Sequence, residues 1–290
     1  MLKQAAVWGI FILLLMSCAS QKMWYGDAKD GFCLRHQITP ADTATFFINT
    51  SITDSMHLMG KKIRSNTVIR SQLSQQVTAA PNKKNKLLLV GYDSIDFTSD
   101  NQSLQPILPT INDAMKGFLK KKFKVELKNT GITRLIASFD SLLPPRLQSF
   151  LNPQETITFI YQDLPEKKIR LGEHWESANK YLRKTPDMNL RFSRKAICLI
   201  DSILYKDSEE ILKISFHGEC EVKGRERQLN IIGKVQGKGE FNGHFLFAYQ
   251  RGKYLEGHFQ QQMKMDYFLP GVESMPLSKR VDIATEIRRE

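Results

Sequence analysis

The sequence predicts a mainly β protein: curved antiparallel sheets in two β-rich halves, with a few short helices between them. Three observations predict this. Long stretches alternate apolar and polar residues with period two, as in Thr43–Ile52 and again through Phe192–Leu204 and Leu212–Val222. Turn-forming groups sit between such stretches at hairpin distance, Asp207-Ser208-Glu209 and Gln250-Arg251-Gly252. Between the halves the alternation stops, and a cluster of Leu and Phe residues is broken by Pro144-Pro145.

In chain order, Ala44, Phe46, Ile48, Thr50 and Ile52 face one way, and Thr45, Asn49 and Ser51 the other. Lys62–Val77 repeats the pattern, with Ile63, Ile69, Leu73 and Val77 in phase. After the turn cluster Ala80–Asn85, the run Leu87-Leu88-Leu89-Val90 suits a strand buried on both faces. Ile111, Met115 and Phe118 share one side of a short helix over Ile111–Leu119. Phe123, Val125 and Leu127 form a strand that closes at Asn129-Thr130-Gly131. Ala137–Leu151 predicts two short helices flanking the prolines, and Pro153–Phe159 a further helical turn. The last third carries the clearest strands. Phe192, Ala196, Cys198, Ile200, Ser202 and Leu204 share parity, as do Leu212, Ile214, Phe216, Gly218, Cys220 and Val222. Gln228–Gln236 is a further strand. Gly243, Phe245, Phe247 and Tyr249 then pair through a three-residue loop with Leu255, Gly257, Phe259, Met263, Met265 and Tyr267. Val281–Arg288 reads as an edge strand or a frayed tail. The expected organisation is 1–17 signal, 18–30 tether, 31–136 N-terminal β half, 137–173 helical connection and 174–290 C-terminal β half, the two halves forming one domain or two.

The chain has 290 residues, a formal net charge of +12, 41% hydrophobic and 25% charged residues, ordinary proportions for a globular protein. Basic residues cluster at Lys116–Lys124, at Lys83, Lys84 and Lys86, and at Lys167, Lys168 and Arg170. Lys3 followed by a short apolar run to Met16 reads as a secretory signal, too short to cross a bilayer. Leu15-Met16-Ser17-Cys18 resembles the lipobox of bacterial lipoproteins. That resemblance implies removal of Met1–Ser17 and a diacylglycerol thioether on Cys18, with acylation of the new amine. Two or more chains anchor stably. The partner expected first is therefore a membrane, held through Cys18. With no Asp after Cys18, the sorting rule familiar from Gram-negative lipoproteins implies the outer membrane. Export argues against nucleic acid as a partner and makes anionic lipid head groups or an envelope protein better partners for the basic clusters.

Met59-Gly60-Lys61-Lys62, Phe123–Gly131, Leu164-Pro165, Leu171-Gly172-Glu173-His174-Trp175 and the hairpin Gly239–Gly257 resemble a family of uncharacterised cell-envelope lipoproteins of Bacteroidota-like bacteria. The resemblance implies a lipid-anchored, β-rich envelope protein and carries over no catalytic residue. The lysine- and glycine-rich opening of that family is absent from Gly31–Thr39.

Few residues point to chemistry. The hairpin register brings His244 opposite His258, close enough to share a transition metal if Glu240 or Glu256 supplied a third ligand. Cys198 and Cys220 lie on one parity of one hairpin, and a five-residue loop would place them within disulfide reach. There is no GxSxG, HExxH or CxxC. Glu173 and His174 point to opposite faces of a strand, and Trp175 reads as an anchor in the core or at its rim. No catalytic residue and no cofactor is expected. The function expected is a non-enzymatic envelope lipoprotein with a binding or structural role. One alternative is a carrier whose cleft, lined by Phe245, Phe247, Phe259, Met263 and Met265, holds an acyl chain or another apolar ligand. The other is a hydrolase-type enzyme without a recognisable motif, which would need a deep polar pocket built from residues distant in sequence.

Overall fold

The computed structural model describes residues 25–39, 42–58, 61–78, 85–102, 105–119, 121–131, 133–135, 153–185, 187–228, 231–271 and 277–290. The signal, Cys18, Lys83, Lys84 and the two helices expected in 137–151 lie outside them.

Eleven strands form one curled antiparallel sheet, a half-barrel with helices against its concave side. The N-terminal strands are β3 (Thr43–Leu58), β4 (Lys61–Thr78), β5 (Asn85–Ser99), β6 (Lys122–Lys128) and β7 (Thr133–Leu135). The C-terminal strands are β8 (His174–Thr185), β9 (Met188–Lys206), β10 (Glu209–Gln228), β11 (Ile231–Ala248), β12 (Lys253–Phe268) and β13 (Leu277–Arg289). Each group is a meander of antiparallel neighbours, joined by short turns except between β5 and β6, where residues 100–121 intervene, and between β12 and β13, where residues 269–276 do. The spatial order is β7-β6-β5-β4-β3-β13-β12-β11-β10-β9-β8.

Residues 281–288, expected as an edge strand or a frayed tail, are neither. β13 is central: Ile283 pairs with Gln261 of β12 on one side and with Ile52 of β3 on the other. Val281, Ile283, Thr285 and Ile287 face inward and Asp282, Ala284, Glu286 and Arg288 outward, a regular alternation interrupted on the inner side by Lys279. Alternation marks a strand but not its neighbours, and this strand fuses the two halves into one sheet.

Three bulges curl the sheet. The register shifts between Gln72 and Leu73, between Lys213 and Ile214, and between Leu246 and Phe247. An extra residue on one strand bends it and increases the local twist. The β9–β10 turn is two residues, Asp207 and Ser208, at φ 51° and 64°. Both positive values match the turn type whose twist suits a hairpin. Together with the Lys213 bulge this turn sets Cys198 opposite Phe216 and Cys220 opposite Arg194. The two cysteines are thus four rungs apart, roughly 13 Å of strand. Their disulfide is not made; both are buried free thiols, with burial first and Asp163 second pushing Cys198 up to about 12.

The helix α1 (Leu108–Leu119) buries Ile111, Met115 and Phe118 against β5, where Phe118 meets Tyr92 at 5.8 Å between ring centres. A second helix, α2 (Pro153–Ile160), buries Ile157 and Ile160. Leu88 and Val90 are fully buried, but Leu87 and Leu89 only half so, because helices cover just the concave face of β5. Order begins earlier than the expected tether end: β1 (Gly26–Asp27) already pairs with β2 (Gly31–Phe32).

From β2 the chain crosses the interior as a strap, burying Phe32, Leu34, His36 and Ile38. Its backbone is tied to three distant places. Phe32 and Ile169 exchange bonds of 2.8 and 3.0 Å, His36 N donates to Asn129 O at 2.9 Å, and Gln37 N donates to Gly252 O at 3.0 Å. Gly252 ends the β11–β12 turn at φ 61°, and a Cβ there would stand 2.4 Å from Arg35 O. Glycine is required both by the left-handed conformation and by this close approach.

Ala284, exposed in mid-β13, pairs with Gln260 and Ser51. Ala284→Pro removes a ladder donor from a strand paired on both sides and should cost at least ~3 kcal/mol in urea unfolding. Ala284→Thr, which keeps the donor on an exposed site, should stay within ~0.5 kcal/mol.

Candidate functional site

The concave face is filled at one end and open at the other. At the end holding the β9–β10 and β11–β12 turns, the strap closes the sheet. Phe32 packs edge-on against Tyr249 at 5.0 Å, and His36 against Tyr161 at 5.2 Å and Phe247 at 5.4 Å. Arg35 donates to Pro165 O and Glu166 O at 2.6 and 2.5 Å, and Tyr161 Oη donates to Gln75 Oε1 at 2.5 Å. Trp175, on the C-terminal half, donates its indole N–H to Asp163 O at 2.9 Å, the anchoring role expected of it.

Toward the opposite end lies a cavity of about 320 Å³. Its wall runs from Phe159 of α2 and Phe259 of β12, at mid-sheet, to Met188, Glu226 and Tyr267 near the far strand ends. Phe192, Met263, Met265, Val281 and Ile283 supply the apolar surface. Charged groups interrupt it. Lys279 Nζ lies 3.1 Å from Asp54 Oδ1, each about a quarter exposed. Tyr267 Oη donates to Glu226 Oε2 at 3.1 Å; burial first, then the adjacent Glu226 carboxylate, push this phenol upward. The Arg183 guanidinium lies 4.9 Å over the Phe192 ring. Behind the cavity, Arg194 is 7% exposed, donates to Gln261 Oε1 at 2.5 Å and stands within 6 Å of the rings of Phe159, Tyr181, Phe241 and Phe259. A buried guanidinium needs such compensation, because an uncompensated charge in an apolar site is costly.

The five residues predicted to line a cleft divide between these regions. Phe259, Met263 and Met265 line the cavity. Phe245 stacks on Tyr254 at 6.0 Å, and Phe247, fully buried, packs on His36; both belong to the filled core. Sequence reasoning missed Asp54, Arg183, Arg194, Glu226 and Lys279. For three the signal was legible: Asp54, Arg194 and Lys279 each interrupt an apolar parity, as Arg194 does between Phe192 and Cys198, whereas Arg183 and Glu226 lie at the polar ends of their strands.

On the outer face His244 and His258 do stand opposite each other, ring centres 5.1 Å apart. The loop is longer than three residues, with Ala248 opposite Lys253, and the bulge at Leu246 and Phe247 restores the register beyond it. The carboxylate beside them is Glu286 of β13, 3.6 Å from His258 Nδ1; Glu240 and Glu256 face Gln262 and Leu246. Desolvation, then His258, lower the pKa of His244. Among the described residues no group of three or more His, Cys, Asp or Glu is arranged to hold a metal ion. Of the basic clusters of the sequence, Lys86 donates to Ile38 O in the strap and Lys116 pairs with Asp113 at 2.8 Å, while Lys121, Lys122, Lys124, Lys167, Lys168 and Arg170 are exposed.

No family model matches the chain, and no curated protein matches it. Among solved structures it is similar to a DUF1329 family protein from Desulfovibrio piger, with 9% identity, TM-score 0.12, 85% of this chain and 83% of that chain covered. It is also similar to OccK11 (OpdR) of Pseudomonas aeruginosa, with 8% identity, TM-score 0.18, 90% and 100% covered. OpdQ of the same species gives 8% identity, TM-score 0.17, 85% and 97% covered. Likeness at this level carries no argument about the chain's family or activity.

His36 is buried, its Nε2 faces Gln162 O at 3.0 Å and its Nδ1 has no hydrogen-bond partner. Desolvation by burial lowers its pKa from 6.5 to about 4. The folded state thus binds this proton less readily than the unfolded state. The stability from neutral His36 is fully present above pH 6.5 and is lost as pH falls from 6.5 toward 4, on the order of 3 kcal/mol. Urea midpoints should fall over that window, and His36→Phe should flatten the fall.

Proposed function

We propose that this protein is a lipid-anchored envelope protein, held through Cys18, whose half-barrel binds an amphiphile without transforming it. The carrying observation is the cavity beside Met263 and Met265: one end of the concave face is packed around the strap, while the other leaves about 320 Å³ between apolar walls. Methionine side chains adapt to varied apolar shapes. The apolar surface of Phe192, Phe259, Met263, Val281 and Ile283 suits an acyl chain, and Arg183, Lys279, Asp54 and Glu226 suit a polar head. Binding pockets for small molecules combine an apolar lining with a few polar groups in this way. The described lining contains no His, Cys or Ser, so it carries no Ser–His or Cys–His pair, and its Lys279 and Tyr267 are each engaged by a carboxylate, Asp54 and Glu226. The lipobox-like cut site supports anchoring, and the absence of Asp after Cys18 supports the outer membrane.

Ile283 is half-buried on the cavity wall, so a larger side chain there enters the empty space. Ile283→Trp should weaken binding of a fluorescent fatty-acid probe at least ~10-fold, about 1.4 kcal/mol, with little change in unfolding midpoint. Unchanged affinity in a folded variant would place the ligand elsewhere.

A further inference from the structure

The outer face near the cavity's charged end is cationic in a way the sequence clusters do not show. One cross-strand rung reads Arg64 of β4, Ser55 of β3, Arg280 of β13, Lys264 of β12 and Lys238 of β11. Arg280 stands directly opposite Lys264, and Lys264 directly opposite Lys238. Like charges so placed destabilise a sheet. Lys234 of β11 faces Arg225 of β10 four residues nearer the strand ends, another like pair. The rung's four cations line one groove of about 720 Å³ together with Ser55 and Ser278.

Counter-charges are present but exposed. Arg280 meets Asp282 at 3.1 Å, Lys264 meets Asp266 at 4.0 Å and Lys238 meets Glu221 at 3.9 Å, with the three cations 58–83% exposed. Glu240 also lines the groove. Exposed pairs of this kind contribute little and are screened by salt. At the same end three large apolar side chains face solvent: Ile63 at 52%, Ile232 at 50% and Phe268 at 55%. Phe268 lies opposite Lys234, two residues from Ile232 along β11.

We propose that this rim docks on the surface of an anionic phospholipid bilayer. The cations meet head-group phosphates, Ile63, Ile232 and Phe268 enter the interfacial layer, and the cavity's charged end faces the membrane from which its ligand comes. This last element rests on the amphiphile reading; the docking itself does not. Charge complementarity selects the partner: cations at repulsive spacing, with serine hydroxyls between them and apolar tips beyond them, match a phosphate layer over hydrocarbon. An acidic protein would match the cations alone.

Hydrogen exchange on the full-length chain tests this, with vesicles of phosphatidylglycerol compared with vesicles of phosphatidylcholine. Exchange should slow at 61–66, 231–238 and 262–268 with phosphatidylglycerol, and not at 203–210, where Tyr205 marks the opposite end at 75% exposure. Replacing Arg64, Lys238, Lys264 and Arg280 by Gln should raise the lipid concentration needed about 100-fold or more, by the usual contribution of a cation near an anionic surface. The Ile232→Ser/Phe268→Ser chain should weaken docking independently. Equal protection by both lipids, unchanged in the Gln variant, overturns the proposal. Protection by soluble polyglutamate as strong as by vesicles also overturns it and marks a protein partner. The same Gln variant should still bind the fatty-acid probe, and Ile283→Trp should still dock, so failure of the cavity reading and failure of the docking reading are seen separately.

Discussion

The pairing of β13 with β3 is the constraint on which the rest of the molecule depends. Each half is a meander of neighbouring strands, and either alone would expose two edges and half of an apolar face. The last strand of the chain returns to the first long strand and joins them, from Ser278 opposite His57 to Arg289 opposite Phe46. Only then does a single concave surface exist, with inward residues of β3 and β4 facing those of β9 to β12 across it. The Thr50 and Thr285 hydroxyls, 3.1 Å apart on that seam, lie in the cavity wall. The cavity is therefore a product of the join and belongs to neither half.

Curvature and filling then divide the concave face. Bulges on three strand pairs tighten the curl, and the strap occupies the end that holds the β9–β10 and β11–β12 turns, tied by its backbone to Asn129, Ile169 and Gly252. These ties come from both halves and from the segment between them, so the strap braces the closed end. Beyond Ile38 it leaves, and toward the cavity α2 reaches inward, with Phe159 4.2 Å from Phe259 between ring centres. The space beyond is lined by methionine, aliphatic side chains and compensated charges. Keeping it open costs burial that a filled core would gain, at roughly 25 cal/mol per Å² of apolar surface. The repulsive cation rung outside is a second departure from stability at the same end of the sheet.

Much of this was legible in the sequence. Period-two alternation located the long strands, and Ile111, Met115 and Phe118 located α1. The His244–His258 register came out right although the loop length did not, because the bulge at Leu246 compensated for it. The illegible features share one cause: they depend on which strands become neighbours. The place of β13 could not be read because alternation does not name a strand's neighbours, and its partner β3 lies more than 200 residues away. The split of the Phe and Met row into core and cavity depends on where the strap ends. Arg64, Lys238, Lys264 and Arg280 form no run in the chain and become a row only through four strand pairings. The cysteine register failed because a two-residue turn and a bulge replaced the longer loop.

Native mass spectrometry of the full-length chain released from membranes tests the central claim most directly. The account predicts a one-to-one, non-covalent adduct in the mass range of a fatty acid or phospholipid. It should dissociate on collisional activation, whereas the thioether lipid expected on Cys18 should not, and it should be absent from the Ile283→Trp chain. A single mass without such an adduct, unshifted when fatty acid or phospholipid is added, would contradict the account and leave the half-barrel with a structural role.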